Sequence, residues 1–170
     1  MRISKLSLLA AGLGLVLIAS ACTLSGKSDL MSGIKARETT VNPSAQGVVA
    51  QSVTDFSWNL FREAIAEDGN VMVSPLSAHI ALSMTMNGAE GETLQEMRQA
   101  LEAGDVSLEE LNAGVSSWLQ SLAAKDAVAK WQVANSVWLR DGYEVKTSFL
   151  ETLKTFYQAD ARTMDFASPE

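Results

Sequence analysis

Apolar residues recur at helical spacing from Val49 through Val53, Phe56, Leu60 and Ala64, with Phe61 and Ile65 alongside. This pattern predicts a long amphipathic helix that stops near Asp68-Gly69. Val71, Met72 and Val73 then form an apolar run too short to propagate a helix, which predicts a buried strand. Ser74 is placed to cap the next helix, and Pro75 suits its first position, where no N–H is needed. From Leu76 to Met86 apolar residues fall on nearly every face, so this helix is expected to be enclosed. Gly88 and Gly91 bracket a turn. Thr93 with Glu96, and Ser107 with Glu110, are two capping boxes. The first opens a helix with the stripe Leu94, Met97 and Leu101, ending near Gly104. The second opens a helix with the stripe Leu108, Leu111, Val115, Trp118 and Leu122. Gly114 inside it costs about 1 kcal/mol of propensity relative to alanine.

The period changes to two at Ala127. Ala127, Ala129, Trp131, Val133, Asn135, Val137 and Leu139 share one face, while Lys130, Gln132, Ser136, Trp138 and Arg140 share the other. This predicts a strand over 127–139 with one face on a core. Asn135 lies on the apolar face, so its amide is expected to bond to backbone or to another polar group. Asp141-Gly142 turns the chain. Thr147 is placed to cap a helix buried through Phe149, Leu150, Leu153 and Phe156-Tyr157, and Ala161–Phe166 reads as one more short strand. Five helices accompany only three strands, and the long strand has no obvious partner in the sequence. A strand of that length does not leave both edges unpaired in a stable monomer, so the pattern points to missing sheet.

Residues 1–21 change the picture of where this domain sits. Arg2 and Lys5 precede an uncharged apolar run from Leu8 to Ile18, and Ala19-Ser20-Ala21 leads to Cys22, the single cysteine. The series is that of a secretory signal, and the apolar run is shorter than the roughly 20 residues a membrane span requires. Its end resembles the lipobox of bacterial lipoproteins, which implies diacylated Cys22 as the mature N-terminus. The alternative is an ordinary signal cut near Ala21. The lipoprotein reading implies export and a membrane anchor at the cell surface or in the periplasm. Residues 22–46, dotted with Ser, Gly and Pro43, read as a flexible tether, and 47–170 as the folded part. A lone cysteine excludes an internal disulfide framework.

The whole chain carries a formal charge of −7. Without residues 1–21, 11 Lys and Arg face 20 Asp and Glu. Such an acidic chain is a poor candidate for nucleic acid or anionic lipid headgroups. Candidate chemistry is sparse. His79 is the single histidine, no HExxH or cysteine pair supports it, and it reads as a helix-surface or satisfied core residue rather than a metal ligand. Ser74 and Ser77 lack a nucleophile-elbow context. Gly88-Ala89-Glu90-Gly91 lacks the Lys-Ser/Thr of a phosphate loop. No catalytic constellation is visible, so the chain is not expected to be an enzyme or to need a metal or cofactor.

Asn70, Ser74-Pro75, Ser77, Ala81-Leu82, Met84, Asn87-Gly88-Ala89, Gly91 and Thr93 together resemble the helix B signature of the serpins, the serine protease inhibitors. Ala134–Trp138, Phe149, Phe156–Ala159 and Asp165-Phe166 continue the resemblance in order over residues 48–166. It covers roughly the first third of the family's domain. The resemblance implies an α+β fold: helices A–E, the first strands of sheet A and one strand of sheet B, left incomplete. It makes residues 127–139 strand 2 of sheet A, and it makes Ser74, Ser77 and Asn135 counterparts of the residues at the sheet's opening point, the shutter. It implies inhibition of serine or cysteine endopeptidases by trapping the enzyme on a cleaved reactive-centre loop that inserts into sheet A. The expected partner is a target protease, once the domain is completed. The loop itself lies beyond Glu170 by this reading, so the 170-residue chain is expected to be inactive alone. A non-inhibitory lipid-anchored scaffold or binding protein, or the product of a truncated gene, are the alternatives.

Overall fold

Two short parallel strands and the helix that joins them carry the one sheet of the computed structural model, which describes residues 29–66, 69–124 and 132–167. In chain order the elements are α1 Pro43–Ala64, α2 Pro75–Met86, α3 Gly91–Ala100, α4 Leu108–Ala124, β1 Ser136–Arg140, α5 Thr147–Tyr157 and β2 Asp160–Met164. β1 and β2 run parallel, with Ser136 opposite Asp160 and Arg140 opposite Met164. Parallel neighbours need a crossover, and α5 supplies it.

The helices form where the apolar spacing puts them. Val49, Val53 and Phe56 of α1 are buried in one core with Leu111, Val115 and Leu119 of α4, Ile80, Met84 and Met86 of α2, and Leu150, Leu153 and Tyr157 of α5. The start of α4 is built as the sequence implies. Glu110 N–H donates to Ser107 Oγ at 3.2 Å, and Ser107 N–H donates back to Glu110 Oε2 at 3.1 Å. The Ser107 hydroxyl also donates to Glu110 Oε2 at 2.7 Å, and with the Ser107 amide it holds the Glu110 carboxyl below its ordinary value. Gly114, a defect by propensity alone, marks the place where α4 crosses α1. A Cβ there would collide with Val49 Cγ2 and stand 2.5 Å from the Ala45 carbonyl oxygen.

Several expectations are corrected. Val71–Val73 form no strand; Val71 and Met72 are exposed, Met72 almost entirely. An apolar run pairs only if a neighbouring strand presents its groups, and none does among the described residues. β1 begins at Ser136, later than the expected 127, and residues 125–131, Lys130 and Trp131 with them, lie outside the described residues. Its period-two alternation holds, with Val137 and Leu139 half-buried and Ser136, Trp138 and Arg140 exposed. The strand does have a partner within the sequence, because the short strand after α5 returns to lie beside it.

α2 is buried on one face rather than all round: His79, Ile80, Ser83, Met84 and Met86 point inward, whereas Ala81 and Leu82 are at the surface. α3 starts at Gly91, which adopts φ +60, so Thr93 falls inside the helix and caps nothing. Thr147 is likewise the first helical residue of α5, with Lys146 in the cap position.

The segment before α1 differs most from expectation. α1 begins at Pro43, its amide Ala45 N–H bonded to the Asn42 side chain. Residues 29–42, read as part of a flexible tether, are laid along the body. Leu30 N–H donates to the Ala161 carbonyl at 3.0 Å, and Asp29 bridges Arg162 in antiparallel fashion at the free edge of β2. Met31 is buried in the core. Lys154 Nζ donates to the Ile34 carbonyl at 2.8 Å, Arg37 N–H to Thr155 Oγ1 at 3.0 Å, and Asn42 N–H to Ser117 Oγ at 2.8 Å. The Arg37 guanidinium sits over the Phe156 ring, 5.4 Å from its centroid. Composition identified a segment rich in small polar residues; it did not reveal that those residues bond to α4, α5 and β2. Cys22 and the apolar run before it lie outside the described residues.

Candidate functional site

The region around the start of α2 holds two of the three residues singled out from the sequence. Ser74 occupies the cap position, with Pro75 behind it, yet its side chain makes no capping bond. Instead Ser74 Oγ donates to Ser77 Oγ at 2.8 Å. Both serines are exposed. Asn135 is held elsewhere. Its Nδ2 donates to the Tyr157 carbonyl at 2.8 Å, and its own carbonyl accepts from Asp160 N–H at 2.9 Å. The backbone partner expected for this amide is therefore the C-terminal end of α5. Asn135 clasps the chain on both sides of Gln158, which ends α5 in the left-handed region at φ 51. By fixing Tyr157 and Asp160 it sets the register of β2 on β1.

Beneath α2 lies a polar cluster that sequence reasoning only partly anticipated. His79 is completely buried and meets the edge of Phe56, with ring centroids 5.6 Å apart. Ser52 of α1 donates its hydroxyl proton to the Leu101 carbonyl at 2.6 Å. The 2.9 Å contact between Ser52 Oγ and His79 Nε2 must then run from the ring N–H to the hydroxyl oxygen. That leaves Nδ1 to accept from Ser83, 3.3 Å away. The tautomer follows from the network. Burial drives the imidazole from 6.5 down to about 4, a shift the nearby Leu101 carbonyl partly opposes. His79 is thus a neutral, satisfied core residue.

One turn further on, Asn87 at the end of α2 pairs with Asn112 of α4. Each amide donates to the other's oxygen, at 2.9 and 2.8 Å. Tyr157 of α5 donates to the same Asn112 oxygen at 2.6 Å, and its burial pushes the phenol upward. Asn87 Nδ2 also reaches the Ser83 carbonyl at 2.8 Å. No buried side-chain polar atom among the described residues is left without a partner. A satisfied network of this kind fixes one arrangement of three helices, because any slip strands a desolvated amide.

Ser52, Asn112 and the Tyr157 hydroxyl were not anticipated as a set. Ser52 sits three residues after Val49, on the stripe itself, and Asn112 lies beside Leu111 on the buried side of α4. Polar residues on buried stripes were the available signal. The pairing partners are 25 to 45 residues apart, beyond what local periodicity reports. Among the described residues no three His, Cys, Asp or Glu side chains converge as a metal site. The cluster carries no group poised for acid–base chemistry at neutral pH. Its physical role is to hold α2.

The family model described as serpin (serine protease inhibitor) matches residues 51–170. The chain belongs to the serpin family. It is 30% identical over 118 residues to human Serpin I2, an alignment covering 69% of this chain and 29% of that protein. It is 29% identical over 119 residues to a serpin-like protein of Thermococcus kodakarensis, covering 69% of this chain and 28% of the relative. Among solved structures it resembles the thermophilic serpin tengpin in its native state, with a TM-score of 0.70 and 33% identity, covering 84% of this chain and 36% of tengpin. The chain therefore spans about a third of the length of the serpins it matches. Its helices and short sheet are the serpin-like α+β fold expected over the N-terminal portion of such a domain.

Proposed function

We propose that this chain is the N-terminal part of an exported, lipid-anchored serpin that inhibits serine or cysteine endopeptidases by suicide-substrate trapping. The observation that carries this reading is the serpin family match over residues 51–170, on a fold whose β1 still has one edge unpaired among the described residues. In the proposed trap a protease cleaves an exposed loop and is held as an acyl-enzyme. The loop then enters sheet A as a new strand, and burial of that strand drives the distortion of the enzyme. What the described residues contribute is the foundation. β1 offers a ladder edge on which further strands pair, and α2 offers a surface for that sheet to slide over, with Leu82 and Ala81 outward. Ser74, Ser77 and Asn135 serve there as shutter-like polar residues, and Cys22 as the lipid attachment site.

The matched region covers only about a third of the relatives' length, so trapping needs sequence outside the 170 residues. The chain alone should inhibit nothing. The test is to incubate it with trypsin-like, chymotrypsin-like and subtilisin-like proteases and look for a complex that survives boiling in detergent. A completed domain carrying these residues should give one and the 170-residue chain should not. A complex formed by the short chain would overturn this reading of its parts. A completed domain that traps no protease would favour the second reading, a non-inhibitory surface scaffold.

A further inference from the structure

We infer that the serpin body is held on a short leash with one chosen side toward the lipid surface: the side formed by residues 29–42, the C-terminal half of α5 and the outer edge of β2. This rests on the proposal that Cys22 carries the lipid.

Length makes the argument. A free tether over residues 22–46 would reach about 85 Å when extended, at roughly 3.3–3.6 Å per residue. A body so tethered would have no preferred face. The structure removes most of that freedom. From Asp29 onward the chain is bonded to β2, α5 and α4 in turn, through Ala161, Lys154, Thr155 and Ser117, with Met31 buried as its anchor. Only seven residue steps separate Cys22 from Asp29. Their contour is at most about 25 Å. The point where the chain enters the body therefore lies within that distance of the acylated residue.

Charge selects the same side. Lys35, Arg37, Lys154 and Arg162 stand on or beside this strap; Arg62, Arg98, Arg140 and Lys146 are spread over the rest of the described body. Asp29, Glu38, Asp160 and Asp165 stand among or beside the first four, so this face is close to neutral while the chain as a whole is strongly acidic. An acidic body approaches an anionic bilayer with least repulsion on such a face. Glu63 is 20 residues from Pro43, about 30 Å along α1 from the point where the strap ends.

The experiment uses the full chain, made with its own signal in a bacterial host and reconstituted in phosphatidylethanolamine–phosphatidylglycerol vesicles with an acceptor dye on the headgroups. A donor dye is placed on Ser32→Cys or on Glu63→Cys, the acylated Cys22 being blocked to thiol reagents. Transfer from position 32 should be severalfold higher than from position 63. Inserting a 20-residue Gly/Ser segment between Ser28 and Asp29 should abolish the difference. Equal transfer from the two positions in the unmodified chain, with the protein still in the detergent phase on partitioning, would overturn the leash and leave the anchor standing. Aqueous partitioning of the wild type, equal to that of Cys22→Ser, would overturn both.

Discussion

Gly114 of α4 and Ala45 of α1 stand so close that a single added methyl at Gly114 would lie 2.5 Å from the Ala45 carbonyl oxygen. The two helices meet backbone to backbone there, and the methyl would also collide with Val49, which is completely buried. Gly114→Ala gains up to about 1 kcal/mol of helix propensity but must push the helices apart. The crossing should dominate, with a net loss of about 1–3 kcal/mol. Urea unfolding followed by tryptophan fluorescence measures it; a stabilised variant would show that the helices separate freely.

His79 makes stability depend on pH. Its imidazole binds a proton near 4 in the folded chain, against 6.5 in the unfolded one. Between these values the unfolded state takes up the proton and the folded state does not. The contribution is complete above about pH 6.5, falls as pH falls, and is exhausted below about pH 4, amounting to about 3 kcal/mol. His79→Asn should flatten the profile across that window at some cost in stability at pH 7. Unfolding free energies at half-unit pH steps decide it.

Asn112→Leu should cost about 2–4 kcal/mol, because it leaves the Asn87 amide and the Tyr157 hydroxyl buried without their shared partner. Tyr157→Phe should cost only about 1 kcal/mol, since the Asn112 oxygen still accepts from Asn87. The double variant should fall short of the sum, as expected for residues sharing one network. A double variant that costs the full sum of the two single changes would mean that the amide pair and the hydroxyl act independently.

The free edge of β1 predicts association. The Ser136–Arg140 ladder is unpaired on one side among the described residues, with Trp138 half exposed. Unprotected edges are templates for other chains. The chain from Asp29 to Glu170 should show a sedimentation coefficient that rises with concentration. Trp138→Pro, which removes an N–H from the unpaired side of β1, should reduce that rise. A concentration-independent monomer would mean that the edge is covered.

What could be read in advance was what is local. Ser107 and Glu110 are three residues apart, and their reciprocal bonds formed as their spacing requires. The stripes of α1, α4 and α5 were equally visible, since burial repeats with the helix turn. Thr93 failed because Gly91 tolerates a positive φ and lets α3 begin earlier. Val71–Val73 failed because a strand needs a neighbour, and apolar character alone cannot supply one. Ser52, His79 and Leu101 come together from three separate segments; one buried histidine signals that partners exist but not which ones. Residues 29–42 looked like a tether because most of the bonds that hold them are made by backbone groups, which leave no mark on composition.

Asn135 holds Tyr157 by its side chain and Asp160 by its carbonyl, and that clasp has a consequence for insertions and deletions. The register of β2 is measured from the end of α5, not counted through the loop that follows β1. Residues 141–146 are mostly exposed and join β1 to α5 without contributing to that clasp. Length changes there should leave Ala161 inward and the ladder in phase. One residue added between Gln158 and Asp160 would turn every β2 side chain to the opposite face. Natural variation in length is therefore expected to accumulate on one side of α5 and to be absent on the other.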